Sequence, residues 1–440
     1  MKMFHKFTKS AICLVAAATL ATPAVLAQEE NVPAQVALTL QQAQELAMQR
    51  NTTIQNASLD VRKAEADKWQ AIANMLPQVK AQADYSNYFG YEIPISEVMK
   101  FSMPQYVSGA ITSSIAFSGV MVVSSQIAGI SKKMSEITLR KTEKEVCDQV
   151  KVLYYTALVT DESVRLLEEN LKSMNQLYNY TLSSVNVGVS ESTDADQLLV
   201  QVRSMENAVS STQRALEVIY NSMRIMLNIS ENTEIVLLQD IDSLIGQESL
   251  QSLLEEPFVM ENNYDFQLLK QSLDLTKKQL SMAGWANSPT LSFYHQMNKK
   301  KYLEESAMKM DMTPPNMIGA TISIPIFTSL KNTKAYQSAK ISLRKQQNLY
   351  DNMSLSLRVQ HRQLVYNLKS TMEKYETQRQ SVEVAKRVFD NISKKYEFGV
   401  ASSMDVTNSG TNYVSAQSNY VSALLEMVEA QINLEQLLNK

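Results

Sequence analysis

The chain has 440 residues, enough for two or three ordinary domains, yet only 10 are glycine and 10 proline. So few turn formers favour long helices over a many-stranded sandwich or a regular strand–helix alternation. A formal net charge of −3 gives no basic footprint for nucleic acid, and 45% hydrophobic residues exclude wholesale disorder. Two cysteines and three histidines leave little material for a disulfide scaffold or a structural zinc site.

Lys2, Lys6 and Lys9 precede an apolar run from Ala11 to Leu20, and Val25, Leu26 and Ala27 form a small-residue end. This tripartite pattern reads as a secretory signal peptide over residues 1–27, the run being too short to span ~30 Å of hydrocarbon. Ile12, before Cys13, is not the small residue that a lipoprotein cleavage site needs. The mature chain is expected to start near Gln28, with a net charge of −6 and Cys147 as its only cysteine. No disulfide can form within it, so stability must come from packing or assembly.

The remaining chain repeats itself. Asn51 and Pro77 recur as Asn263 and Pro289 at an offset of 212, and Gly109 and Phe117 as Gly319 and Phe327 at 210. Val187-Gly188-Val189 with Asp194 recurs as Phe398-Gly399-Val400 with Asp405 at 211. A near-constant offset defines repeat one (28–230), an irregular connector (231–257) and repeat two (258–440). Each repeat opens with a helix of modest length, over 39–75 and about 262–284, ended by Pro77 and Pro289. Strand pairs follow, near 78–90 and 108–119, then near 289–298 and 316–327. Their residues alternate: Val79, Ala81, Ala83 and Tyr85 share one face, as do Ile318, Ala320, Ile322, Ile324 and Ile326. Loops rich in polar, aromatic and proline residues (90–107 and 298–315) separate the members of each pair.

Very long helices come next, since no Gly or Pro occurs between Ile130 and Val187 or between Leu330 and Phe398. In repeat one a 4-3 spacing runs from Val146 and Val150 to Thr181 and Val185, with ten of twelve positions apolar. In repeat two it runs from Leu357 and His361 to Ile392 and Tyr396, with nine of twelve apolar. A sustained 3.5-residue period predicts left-handed, coiled-coil-like packing. At 1.5 Å per residue these stretches reach on the order of 100 Å, beyond any compact domain. Return helices are expected over 194–228 and 405–438.

The sequence after residue 27 has no run of 18 apolar residues, which excludes a helical membrane span. Four strands with one apolar face are too few to close a membrane barrel, and an open sheet in lipid leaves costly unpaired edges. Strands of several chains must then close one barrel, and the same symmetry would gather the long helices into a tube. A non-spanning periplasmic coiled-coil adaptor or scaffold is the alternative, though it calls for no duplicated lipid-facing strands.

The ordered motifs resemble the TolC-type outer-membrane efflux proteins over nearly all of the chain after residue 27. Leu38-Thr39-Leu40-Gln41-Gln42-Ala43 with Asn51, Met75-Leu76-Pro77-Gln78, and Ser323-Ile324-Pro325-Ile326-Phe327 are similar to that family's repeat entry, helix-to-strand junction and strand exit. Tyr396 to Val406, with Tyr413 and Ala416-Gln417, resembles its helical hairpin tip. The resemblance implies a homotrimer, mainly α, with a 12-stranded outer-membrane β-barrel on a periplasmic α-helical coiled-coil tunnel. It further implies docking onto a periplasmic adaptor protein and, through it, an inner-membrane transporter.

Gly188 and Gly399 are expected to end long helices in left-handed conformation, with Asp194 and Asp405 capping the return helices or in their first turn. The resemblance implies that the tips, with Val187, Val189, Phe398 and Val400, face the adaptor. It also implies that Asp405 contributes to a ring of acids at the tunnel constriction. The family's second acid, three residues on, is here Asn408, and its basic residue after the glycine is Ala401. Ile318, Ile322, Ile324 and Ile326 are expected to face lipid. Tyr85, Tyr88, Phe89 and Tyr91 suit either an aromatic girdle or loop packing. His361 on the seam reads as a packed core residue and His295 as a strand residue, so no metal or cofactor is expected. There is no phosphate-cradling glycine loop, G-x-S-x-G or H-E-x-x-H, and nothing catalytic.

Overall fold

The computed structural model describes residues 35–94, 96, 100–102, 105–240, 247–303 and 314–440. The expected signal peptide and Gly246 of the connector lie outside them. In chain order the elements are β1 (Gln35–Leu38), α1 (Leu40–Arg50), α2 (Thr52–Ala73), β2 (Gln78–Ser86), β3 (Glu92–Pro94), β4 (Lys100–Ser102), β5 (Tyr106–Phe117), α3 (Gly119–Asn186) and α4 (Ser192–Leu227). Then come β6 (Glu234–Leu237), α5 (Gln247–Leu254), α6 (Tyr264–Trp285), β7 (Thr290–Tyr302), β8 (Asn316–Ser323), α7 (Lys331–Glu397) and α8 (Ser403–Leu438).

The two long helices, α3 with 68 residues and α7 with 67, each fold back on a 36-residue return helix, α4 and α8. All 24 positions picked out by the 4-3 spacing are buried or half-buried. The seam period therefore sets which face of each long helix meets its neighbours. Met174 and Leu177 of α3, Leu198 and Val202 of α4, Phe389 of α7 and Tyr413 of α8 form one apolar cluster, so the two hairpins pack against each other. Farther from the tips, Lys151 Nζ on α3 meets Glu435 Oε2 on α8 at 2.5 Å.

The first helix, expected to run unbroken over 39–75, is two helices. Asn51 caps both: its extended backbone ends α1, and its carboxamide oxygen accepts from Thr53 N at 2.9 Å to start α2. Its Nδ2 donates to Met226 O at 2.9 Å, at the end of α4. Asn263 does the same in repeat two, capping α6 through Phe266 N (3.1 Å) and donating to Leu437 O (3.3 Å) at the end of α8. The repeated asparagine thus starts a helix and ties it to the foot of its own hairpin.

The 231–257 connector is also more ordered than expected. Within it β6 pairs in parallel with β1, Gln35 opposite Glu234 through Leu38 opposite Leu237, and buries Ile235 in the core around Tyr154. Leu250 and Leu253 of α5 join an apolar cluster with Leu424, Met427 and Leu434 of α8.

The main sheet is antiparallel in the order β2-β5-β7-β8, with β2 and β8 at its edges. Register decides its chemistry, because successive side chains point to opposite faces. One face carries the rows Tyr85–Val107–Lys301, Ala83–Gly109–Lys299, Ala81–Ile111–Met297, Ile115–Phe293–Ala320 and Phe117–Leu291–Ile322. The other carries Asp84–Ser108–Lys300, Gln82–Ala110–Asn298 and Lys80–Thr112–Gln296. There Lys300 Nζ lies 3.8 Å from the ring centre of Tyr106. β7 extends to Tyr302, beyond the expected 298. β8 stops at Ser323, short of the expected 327, where Pro325 has no N–H to continue a ladder. Ile318 and Ile322 are therefore exposed strand residues, whereas Ile324 and Ile326 follow the strand's end, also exposed.

Candidate functional site

The far ends of the two hairpins are built alike. In the first, Val187 ends α3 and Gly188 takes φ +76°, with Gly188 N donating to Val185 O (3.0 Å) and Val189 N to Ser184 O (2.8 Å). In the second, Phe398 ends α7 and Gly399 takes φ +71°, with Gly399 N donating to Tyr396 O (2.9 Å) and Val400 N to Lys395 O (2.8 Å). Both are Schellman closures, which require the left-handed residue that glycine supplies without strain. Val187, Val189, Phe398 and Val400 project from these closures 74%, 79%, 82% and 75% exposed. Among the described residues, nothing covers these four apolar side chains.

Behind the tips, hydrogen bonds join one hairpin to the other. Tyr180 OH donates to Glu397 O at 2.8 Å. Thr181 Oγ1 donates to Leu177 O, which leaves it to accept from Tyr396 OH at 2.8 Å. Ser403 Oγ donates to Asp194 Oδ1 at 2.5 Å, with Gln197 Oε1 3.1 Å away. Asp194 lies in the first turn of α4, where Glu191 is the cap position but makes no side-chain capping bond. Deeper in the seam, Asn170 of α3 donates to Gln417 of α8.

Asp405 sits in the first turn of α8 and forms a reciprocal capping box with Ser402. Its Oδ2 accepts from Ser402 N at 2.9 Å, and its own N–H donates to Ser402 Oγ at 3.2 Å. These bonds from Ser402 hold the Asp405 carboxyl below the usual aspartate range. The Ser402-x-x-Asp405 spacing is itself a capping-box signature. The carboxylate is exposed and ionised, and Asn408, one turn on, adds no second charge.

His361 is half-buried on α7, stacked on Phe258 with ring centres 5.2 Å apart, and burial lowers its pKa. His295 pairs with Ser113 and Ile318 in the sheet. Among the described residues, no three of His, Cys, Asp or Glu are placed to hold a metal. Also among them, no helix is long and apolar enough to cross a membrane.

The profile of the outer membrane efflux protein family matches residues 43–228 and 259–440. The chain belongs to the outer membrane efflux protein family. The family is one of outer-membrane efflux proteins, not of enzymes. Similar curated proteins include the probable efflux pump outer membrane protein TtgC and the antibiotic efflux pump outer membrane protein ArpC, both of Pseudomonas putida. Each is 22% identical over 312 residues, covering 68% of this chain and 61% of the relative. The match thus spans about three-fifths of the length of these curated relatives. Among solved structures, CusC superposes with a TM-score of 0.75 at 15% identity over 91% of each chain. VceC of Vibrio cholerae gives 0.73 at 14% identity, over 91% of this chain and 95% of its own. The open-state MtrE channel of Neisseria gonorrhoeae gives 0.74 at 17%, over 91% and 88%. At such identities the likeness is one of fold.

Proposed function

We propose that three copies of this chain close one duct, a 12-stranded barrel in the outer membrane continued by a periplasmic helical tunnel. Solutes leave through it passively, energised by an inner-membrane transporter and handed on by a periplasmic adaptor that docks at the hairpin tips. The observation that carries this reading is the unequal burial of the two long helices. Fifteen residues of α3 are buried, but only Leu357, Leu368, Thr371 and Phe389 of α7. Ile341, Leu355, Val359, Tyr366, Val384 and Val388 of α7 are all exposed. Their spacings of 14, 4, 7, 18 and 4 residues each fall near a whole number of turns, so they line one face. Six exposed apolar side chains on one face of a 67-residue helix, set among polar ones such as Lys345, Arg362 and Glu373, call for a partner, as do the two open edges of a sheet whose other face is polar. Reconstitution into planar bilayers tests the reading: discrete conductance steps are expected, and their absence for correctly folded protein contradicts it.

Under the same reading, three Asp405 carboxylates ring the narrow end of the tunnel and favour cations there. Asp405→Ala is expected to shift the reversal potential in a salt gradient towards non-selectivity; an unchanged potential refutes the pore role. Because the carboxyl pKa is depressed in the folded chain, charge and cap are both in place at neutral pH. They are lost together only as pH falls through the acid range, so the wild-type preference should fade towards acid and not at neutral pH.

The tip assignment has its own test. Proline at 399 can neither adopt the positive φ nor donate the N–H now given to Tyr396 O. Gly399→Pro is expected to abolish efflux in cells by impairing adaptor docking while assembled channels still reach the membrane. Normal efflux in this variant contradicts the assignment.

A further inference from the structure

A helix in the wall of a duct has two flanks, which meet neighbours, and two free surfaces. Along α8 the flanks are filled within the chain. Met174 and Leu177 of α3 and Phe389 of α7 pack with its Val406 and Tyr413. Farther along, Leu424, Met427 and Leu434 of α8 cluster with Val159 of α3, Leu368 of α7 and Leu250 and Leu253 of α5. Among the described residues, what stays open is a single row. Between Val406 and Ala423 seven residues are exposed, at 408, 411, 412, 415, 418, 419 and 422, and spacings of three and four keep them on one side of the helix. Three are asparagine, three serine and one threonine. No charged residue occurs from Val406 to Leu425, a stretch of 20 residues or about 30 Å of helix.

Position decides what this row meets. Leu424 and Met427, two and five residues beyond Ser422, fall on the other half of the helix, so α5 and the row lie on different sides of α8. A duct stays open only with the added bulk of α5 on its outer surface, and the row then faces the lumen. A second copy does not cover it, because the exposed apolar face that awaits such a contact is on α7. The row starts one turn after Asp405 and ends one turn before Glu426, whose carboxylate meets Lys374 Nζ at 2.7 Å. Beside it Thr411 Oγ1 lies 3.5 Å from Gln201 Nε2 of α4, another uncharged group. Hydroxyls and carboxamides offer both donors and acceptors, so they replace the water around a cation, an anion or a neutral solute alike. Such a wall stays wet where an apolar one would shed water, and it sets up no field that sorts solutes by sign.

We propose that the 408–422 face of α8 lines the lumen as an uncharged hydrogen-bonding track, along which hydrophilic solutes pass by size and not by charge. The inference rests on the duct reading given above. Ser418, exposed in the middle of the row, is the position to test. Ser418→Lys puts three ammonium groups on the track of one trimer. In planar bilayers under a salt gradient its reversal potential is expected to move towards anions. Gln251→Lys, the same added charge on the exposed surface of α5, is expected to keep the wild-type potential. Glucose carries no charge, and its entry into liposomes holding Ser418→Lys should match wild type. Ser418→Cys in a Cys147→Ser background, treated with a trimethylammonium methanethiosulfonate after channels have formed, should show the same shift as the lysine variant, independently of folding. Unchanged potentials for both the lysine variant and the modified cysteine variant put the row outside the lumen and overturn the inference. A fall in glucose entry equal to the fall in cation passage marks a steric constriction at 418 and overturns the track. Wild-type protein that gives no conductance steps contradicts the duct reading beneath, a result separable from either.

Discussion

Val359→Asp combined with Tyr366→Asp is expected to leave the purified protein as single chains. Both side chains are exposed in the isolated chain, at 58% and 67%, and belong to a face of α7 that no other described element covers. Charges there disturb nothing in the fold of one copy, so helical content should match wild type. In an assembled tube they would place two carboxylates of each chain in an apolar contact without partners. Leaving a buried charge uncompensated costs about 3–5 kcal/mol. Light scattering coupled to gel filtration in detergent checks the outcome. A variant that assembles like wild type would remove the principal support for α7 as a contact surface.

The second large effect lies at the seam between the hairpins. Phe389 is 5% exposed, stacks on Tyr413 with ring centres 5.9 Å apart, and touches the cluster that includes Met174 and Val406. Phe389→Ala removes the ring from a site walled by α3, α4 and α8, where collapse is limited. The expected loss is about 3–5 kcal/mol. It should register as a lower midpoint in the thermal loss of helical circular dichroism. Faster proteolysis near residues 187 and 398 is expected as well, because the seam that holds the two tips together is loosened. A midpoint and cleavage pattern equal to wild type would contradict this.

Much of this architecture is legible in the residues. The 4-3 spacing finds the faces by which α3 and α7 pack, since a buried seam on a long helix leaves a periodic trace whatever covers it. The duplicated Gly188 and Gly399 mark the tips, because a helix closing through a left-handed residue needs glycine at one position. Strand alternation assigns Val79, Ala81, Ala83 and Tyr85 to one face of the sheet.

What stays hidden is mostly non-local. Four-residue β1 and β6 have no signature of their own and exist because they pair with each other, 199 residues apart in sequence. The break at Asn51 interrupts no hydrophobic period, and its second function, the bond to Met226 O, is set only by tertiary structure. The strand order β2-β5-β7-β8 cannot come from alternation, which fixes faces but not neighbours. The isoleucine alternation continues through Ile324 and Ile326 although the strand ends at Ser323, since side-chain pattern does not report a missing N–H at Pro325. The box between Ser402 and Asp405 was readable from its spacing, whereas the bond from Ser403 to Asp194 joins two hairpins and was not.

The duct stands or falls on how many chains complete its wall, and the mass of the purified particle measures that directly. In mild detergent, after subtraction of the bound detergent, the polypeptide mass should be three times that of one mature chain, and the protein should precipitate when detergent is withdrawn. A monodisperse single chain that stays dissolved without detergent would contradict the account.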